Sequence, residues 1–175
     1  MYIDPTVYQG RPSDDRIPQE LAVYDKLEEL GISFTRVDHD HADTMEDCHV
    51  IDACLNATVC KNLFLCNRQK TNFYLLMMPG DKPFKTKELS HQLGIARLSF
   101  ASPEDMEQYL DCTPGSSSIM GLANDAENKV QLLMDEDIKA GEYLGCHPCI
   151  NTSSLKLRTA DVLETFLPAV HHEPI

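Results

Sequence analysis

No stretch of the 175-residue sequence approaches the roughly 18 apolar residues that a membrane span needs; the longest such run covers residues 73–79. The opening Met1-Tyr2-Ile3-Asp4-Pro5 lacks the basic and apolar regions of a secretion signal, so a cytoplasmic protein without membrane attachment is expected. Basic residues are scarce. Against 28 Asp and Glu stand 15 Lys and Arg, and the net charge of −13 argues against a general nucleic-acid binder and against DNA as a partner, since phosphates are met by Lys and Arg. The 7 cysteines are odd in number, so reduced thiols are expected rather than a disulfide framework. Cys146 and Cys149 form one CxxC with no second ligand pair at comparable spacing, so neither a zinc site nor another cofactor is expected. A Gly-Lys-Ser/Thr phosphate loop and the Gly-x-Ser-x-Gly elbow of serine hydrolases are also missing.

What is present is the composition of a folded domain, 42% apolar and 25% charged. Residues 1–175 are expected to form one α+β domain with a mostly antiparallel sheet, because hairpin-length links outnumber helical crossovers. Residues 1–12, interrupted by Pro5, Gly10 and Pro12, read as an extended arm. Leu21, Val23, Tyr24, Leu27 and Leu30 recur at helical spacing, with Gly31 as the stop. A strand over 32–37 and a helix from Thr44 to about residue 55 follow. Residues 63–66 and 73–78 read as a hairpin around 67–71. Helices over 84–93 and 102–110 flank a short strand at 97–100, the second opened by Ser102-Pro103. Strands at 130–134, 143–144 and 155–157, with a turn or short helix at 135–140, precede a terminal helix over 159–167. Charge is uneven along this chain. Between residues 61 and 97, seven basic side chains face only Asp81 and Glu88, a local +5 that leaves −18 on the remainder. Such a segment could offer an anion a patch, or be a solvated lysine-rich loop and helix.

Four local features could carry chemistry. Lys61-Asn62 sets a cation and an amide at the start of a strand, where they could hold a phosphate or polarise an ester carbonyl; a lysine snorkelling to water is the plainer reading. Thr113-Pro114-Gly115-Ser116-Ser117-Ser118 could aim several backbone N–H groups at one oxygen, or be an ordinary Pro-Gly turn. Gly145-Cys146-His147-Pro148, with Asn151-Thr152 beyond, could form a pocket wall or a base near neutral pH. A thiol nucleophile there is disfavoured because direct neighbours seldom present their side chains to each other. Asp38-His39-Asp40-His41 with His49 offers metal ligands, but reads more readily as a solvated turn leading into the helix at Thr44.

Four blocks carry a resemblance: Lys61-Asn62-Leu63-Phe64-Leu65, Arg97-Leu98-Ser99-Phe100, Thr113-Pro114-Gly115-Ser116 with Gly121-Leu122-Ala123-Asn124-Asp125, and His147-Pro148. In this order, over about residues 21–167, they resemble the YbaK/ProX-type trans-editing deacylases, relatives of the editing domain inserted in many bacterial prolyl-tRNA synthetases. The Thr-Pro-Gly-Ser loop and the His-Pro pair are similar to the free-standing branch that acts on alanine-charged proline tRNA. The resemblance implies a curved, mainly antiparallel (mixed) β-sheet flanked by helices, and hydrolysis of the ester joining alanine to the terminal adenosine, without metal, cofactor or covalent intermediate. It leaves open cysteine or another small amino acid, or a non-catalytic module of the same fold. Its implied partners are the acceptor end of proline tRNA and, as a further candidate, prolyl-tRNA synthetase. Carried onto this sequence, Lys61 and Asn62 are the catalytic candidates, and Gly115, Ser116, Ser117, Ser118, Gly145 and His147 the substrate-binding ones. Ile119 stands where the family's loop often has proline, and His39-Asp40-His41 where relatives usually have His-Pro-Pro. The editing logic is physical: a pocket built for proline rejects the smaller alanine by no more than about one or two orders of magnitude, so a second, size-selective site is useful.

Overall fold

In the computed structural model, which describes residues 2–113 and 115–174, two four-stranded sheets share one core. The first runs in the order β1 (Tyr8–Gln9), β2 (Phe34–Asp38), β8 (Ser153–Arg158), β7 (Tyr143–Cys146), with every pair antiparallel. The second is ordered β5 (Ser99–Phe100), β3 (Lys61–Cys66), β4 (Phe73–Met78), β6 (Val130–Met134), and its β4–β6 pair is parallel. An isolated bridge between Val59 and Gly145 joins the sheets where β3 begins. The α+β class and the mainly antiparallel pairing are as expected, but the one expected sheet is two, because strand patterns do not say which edges meet.

All six residues of β4 are buried, and the strand reads as a continuous apolar run because both of its faces are covered. Phe73, Leu75 and Met77 enter the core between the sheets. Tyr74, Leu76 and Met78 point the other way, to Leu65, Leu98 and Leu133, where Leu89 and Leu93 of α3 (Thr86–Leu93) cover them. Helix α1 (Pro18–Glu29) starts on proline and buries Val23, Tyr24 and Leu27, with the Tyr24 ring stacked on Phe34 at 5.6 Å. Helix α2 (Met45–Leu55) is opened by a capping box between Thr44 and Asp47 and closed by Asn56 in the left-handed region. Ser102 caps α4 (Pro103–Leu110) by accepting from the Asp105 N–H at 3.2 Å.

The short helix α5 (Glu136–Ala140) follows β6. The terminal helix divides into α6 (Thr159–Asp161), a π-helical turn (Val162–Phe166) and α7 (Leu167–Ala169). Pro168, which has no N–H to give, sits just past the widened turn. A 3-10 turn (Ile119–Asn124) and the edge strand β1 carry no period in the sequence and were not expected. Helix α3 begins at Thr86 rather than 84, behind Pro83. Cys60 and Cys66 are buried, while Cys54 is only partly so. The solvated-turn reading of 38–41 is corrected for Asp38 and His39, while Asp40 and His41 are exposed. Asp38 ends β2 in contact with Arg16 and Arg36, and His39 is 6% exposed, bonded to Ser154 Oγ at 2.9 Å. Among the described residues no helix is long and apolar enough to cross a membrane.

Candidate active site

A cleft of about 480 Å³ opens where β3 begins, a size ordinary for a small-molecule site. Helix α2 lends it Cys48, His49 and Asp52; residues 58–64 form its floor; Gly115, Ser117, His147 and Asn151 close one side, and Phe100, Ala101 and Met106 another. Gly145 makes the junction possible. Strand β7 passes so near residues 58–60 that a Cβ on Gly145 would lie 2.8 Å from Val59 Cα. The Cys60 N–H donates to the Gly145 carbonyl at 2.9 Å and the Gly145 N–H to Thr58 O at 3.1 Å. The Val59 N–H donates to Asp52 Oδ1 at 2.9 Å, so the chain just ahead of Lys61 is fixed from two sides. Lys61 then reaches the rim, where Nζ donates to the Lys82 carbonyl at 2.8 Å. Asn62 Nδ2 donates to Cys60 O at 3.1 Å, and its buried Oδ1 has no partner among the described residues.

Gly115 has φ +81, a left-handed turn that favours glycine, and faces the His41 ring. Asn151 clamps the far side, with Nδ2 donating to Ala42 O at 3.0 Å. Among the described residues the N–H groups of Gly115 and Ser117 donate to no acceptor. The Ser117 hydroxyl faces Met106 Sδ at 3.2 Å. Its neighbours are committed elsewhere. Ser116 Oγ donates to Thr113 O at 2.7 Å and Ser118 Oγ to His147 O at 2.5 Å, and both residues are fully buried.

His147 Nδ1 lies 2.8 Å from the Ser153 carbonyl, which can only accept, so Nδ1 carries the hydrogen and Nε2 a lone pair. Burial drives its pKa down to about 4, leaving the ring neutral at pH 7. Burial lowers His39 as well. Behind them, burial pushes Asp38 upward but is outweighed by hydrogen bonds from Arg16, Arg36 and Ser153, which hold it at about 2. Burial pushes the Cys60 thiol up to about 12 and raises Cys146 and Cys48, so these are thiols, not thiolates.

Of the catalytic and substrate-binding candidates, Lys61, Asn62, Gly115, Ser117 and His147 therefore converge on one cleft, which His49 and Asn151 also line. Ser116, Ser118 and Gly145 do not line it; they hold the loop and the strand junction behind it. Pro114 lies outside the described residues. The α2 residues Cys48 and Asp52 and the wall residue Met106 had no sequence signal tying them to the site, and Phe100 stood in a family block without an assigned role. The basic segment also sorts itself. Lys82 pairs with Asp135 and Asp137, and Lys70 with Asp105. Lys85, Lys87 and Arg97 form no ion pair among the described residues, and line with Phe84 and Phe100 a recess of about 380 Å³ that shares Phe100 with the cleft. A larger hollow of about 680 Å³, on the α3 side of the second sheet, contains none of the five converging residues.

Residues 39–165 match the family model of the aminoacyl-tRNA editing domain. The chain is 32% identical over 141 residues to the prolyl-tRNA editing protein ProX of Acetoanaerobium sticklandii, covering 81% of this chain and 86% of that protein. Over 151 residues it is 29% identical to prolyl-tRNA synthetase associated domain-containing protein 1 of Danio rerio, covering 85% of this chain and 81% of that one. A crystal structure described as a candidate trans-editing enzyme for prolyl tRNA synthetase has the same fold, with a TM-score of 0.67 over 92% of this chain and 97% of that chain at 13% identity. With the family model and a 32% identical relative both spanning most of its length, the chain belongs to the aminoacyl-tRNA editing domain family.

Proposed function

We propose that this aminoacyl-tRNA deacylase acts in trans, in the cytoplasm, to remove alanine from mischarged proline tRNA, with residues 1–175 as one editing domain. The observation that carries the reading is the meeting of Lys61, Asn62, Gly115, Ser117 and His147 around one cleft of about 480 Å³. In the reaction, water adds to the ester carbonyl, the bond to the ribose oxygen breaks, and the proton passes to that oxygen, releasing alanine and tRNA. The N–H groups of Gly115 and Ser117, which have no acceptor among the described residues, meet the developing oxyanion. His147 Nε2, a neutral acceptor, orients the water, and the neighbouring ribose hydroxyl assists. Lys61 Nζ sits at the rim beside the Lys82 carbonyl, which favours a role on the terminal phosphate over one on the carbonyl inside. The preceding nucleotides then cross Phe100, 60% exposed, towards Lys85, Lys87 and Arg97. Prolyl-tRNA synthetase, the source of the error, is the candidate protein partner.

The test is deacylation of alanine-charged proline tRNA by wild type and Lys61→Ala, beside cysteine-charged proline tRNA and alanine-charged alanine tRNA. Rapid loss of the first substrate alone, abolished in the variant, is expected. Loss of cysteine instead would overturn the choice of amino acid while leaving the chemistry, and no hydrolysis of any substrate would overturn the reading.

A further inference from the structure

The α-amino group of an aminoacyl ester is partly or wholly protonated near neutral pH, since free α-amino groups titrate near about 8. The cleft groups assigned so far give it no charged partner: Lys61, Asn62 Nδ2 and the Gly115 and Ser117 N–H groups are donors, and the His147 lone pair is neutral. Asp52 remains. It lines the cleft from α2, one turn beyond Cys48 and His49. Its Oδ1 is fixed by the Val59 N–H at 2.9 Å, while Oδ2 accepts no hydrogen bond among the described residues and is not sealed from solvent. No cation pairs with it there. Lys61, the lysine of the cleft, gives its ammonium to the Lys82 carbonyl instead. The charged or titratable groups that interact with Asp52 are His49, Asp81, Cys48 and Cys60, the last two held as thiols. A half-buried carboxylate that lines the cleft, with one oxygen anchored, the other unbonded and no ion-pair partner among the described residues, is built to receive a cation from a ligand.

We propose that Asp52 Oδ2 accepts a hydrogen bond from the α-ammonium of the aminoacyl group and so positions the ester; this rests on the deacylase reading above. Asp52 is a specificity-determining residue, selecting esters of free α-amino acids over esters whose amine is blocked or replaced. The requirement is independent of side-chain size.

The experiment compares single-turnover hydrolysis of alanyl and lactyl esters on the same proline tRNA, the lactyl group differing only by a hydroxyl in place of the amine. Wild type is expected to prefer the alanyl ester by about ten- to a hundredfold, the range of a hydrogen bond to a charged group. Asp52→Asn keeps an oxygen for the Val59 N–H and loses the charge. It should slow the alanyl ester by that factor, leave the lactyl ester unchanged and bring the preference close to one. If the variant does not fold, wild type alone carries the test: after subtraction of the uncatalysed rate, its preference should fall between pH 7 and pH 9 as the ammonium titrates. An active wild type whose preference survives Asp52→Asn, or a variant that slows both esters equally through a displaced Val59, overturns this proposal alone. A wild type inert towards every ester overturns the deacylase reading and this proposal with it.

Discussion

Replacing Gly145 by alanine adds one methyl group outside the cleft and should nevertheless damage it. The new Cβ would lie 2.8 Å from Val59 Cα, 3.0 Å from Thr58 O and 3.1 Å from Val59 Cγ2. Two of those atoms are backbone, so no side-chain rotation relieves the contact. Strand β7 and residues 58–60 must part by about 0.7 Å to reach an ordinary carbon–carbon separation near ~3.5 Å. That movement stretches the two hydrogen bonds across the junction, from Cys60 N–H to Gly145 O and from Gly145 N–H to Thr58 O. Overpacking of this kind costs about 1–3 kcal/mol, and weakening two buried hydrogen bonds about 1 kcal/mol more. For a chain of this length the sum lowers the melting temperature by about 5–15 °C, measured by thermal denaturation. Lys61 follows Cys60 directly, so single-turnover deacylation should fall by about tenfold or more through misplacement. Gly115→Ala is the control. There a Cβ finds 3.5 Å of room against His41, and the cost is the left-handed φ of +81, about 1 kcal/mol. A Gly145→Ala protein melting within about 2 °C of wild type, or less perturbed than Gly115→Ala, would refute the reasoning.

Ser118→Ala removes the hydroxyl that donates to His147 O and accepts from the Met120 N–H, and should cost about 1–3 kcal/mol in urea unfolding. The His147 ring is neutral in the folded state, with a pKa near 4 against the ordinary 6.5, so its contribution is complete above pH 6.5 and is lost as pH falls towards 4. The loss reaches about 3 kcal/mol, and His147→Gln should flatten the decline in unfolding free energy over that window. Asp38, with its pKa held at about 2, adds stability that is complete above pH 3.8 and is lost only below it, so the two windows separate. Charge reversal at Lys85, Lys87 and Arg97 together should weaken tRNA binding and reduce the slope of log affinity against log salt by about 2–3, while thermal stability is unchanged; an unaltered slope would remove the recess from the path of the tRNA.

What could be read in advance was local. The six apolar residues of β4 and the Thr44 and Ser102 caps each announce themselves within a few positions, and the structure has them where they were expected. The cleft was legible in part for the same reason: Lys61-Asn62, Gly115 and His147 stand in short recognisable blocks. The remainder depends on approach between distant segments. Ser116, Ser117 and Ser118 are chemically alike, and only the path of the loop decides that Ser117 faces the cleft while its neighbours bond to Thr113 and His147. Gly145 reads like a residue of a substrate loop because it adjoins Cys146-His147. Its real constraint is Val59, some eighty-six positions earlier in the chain. His39 sits in a run of four polar residues that looks solvated, and is buried because Ser154 of β8 comes to meet it.

Two reactive side chains of the cleft, the Cys60 thiol and the His147 imidazole, are quieted by their environments. Cys60 is held as a thiol up to about pH 12, so it supplies no nucleophile at neutral pH. His147 gains a proton only near pH 4, so at pH 7 it accepts a hydrogen bond but is too weak a base to drive proton abstraction far. Neither can carry the reaction by its intrinsic reactivity. What these groups offer at pH 7 is orientation: N–H donors at Gly115 and Ser117, the His147 lone pair, a lysine at the rim and the Asp52 carboxylate. A site of this kind lowers the barrier through the placement of water and ester. Its rate should therefore be as sensitive to a shift of β7 against residues 58–60 as to the deletion of a group that touches the substrate.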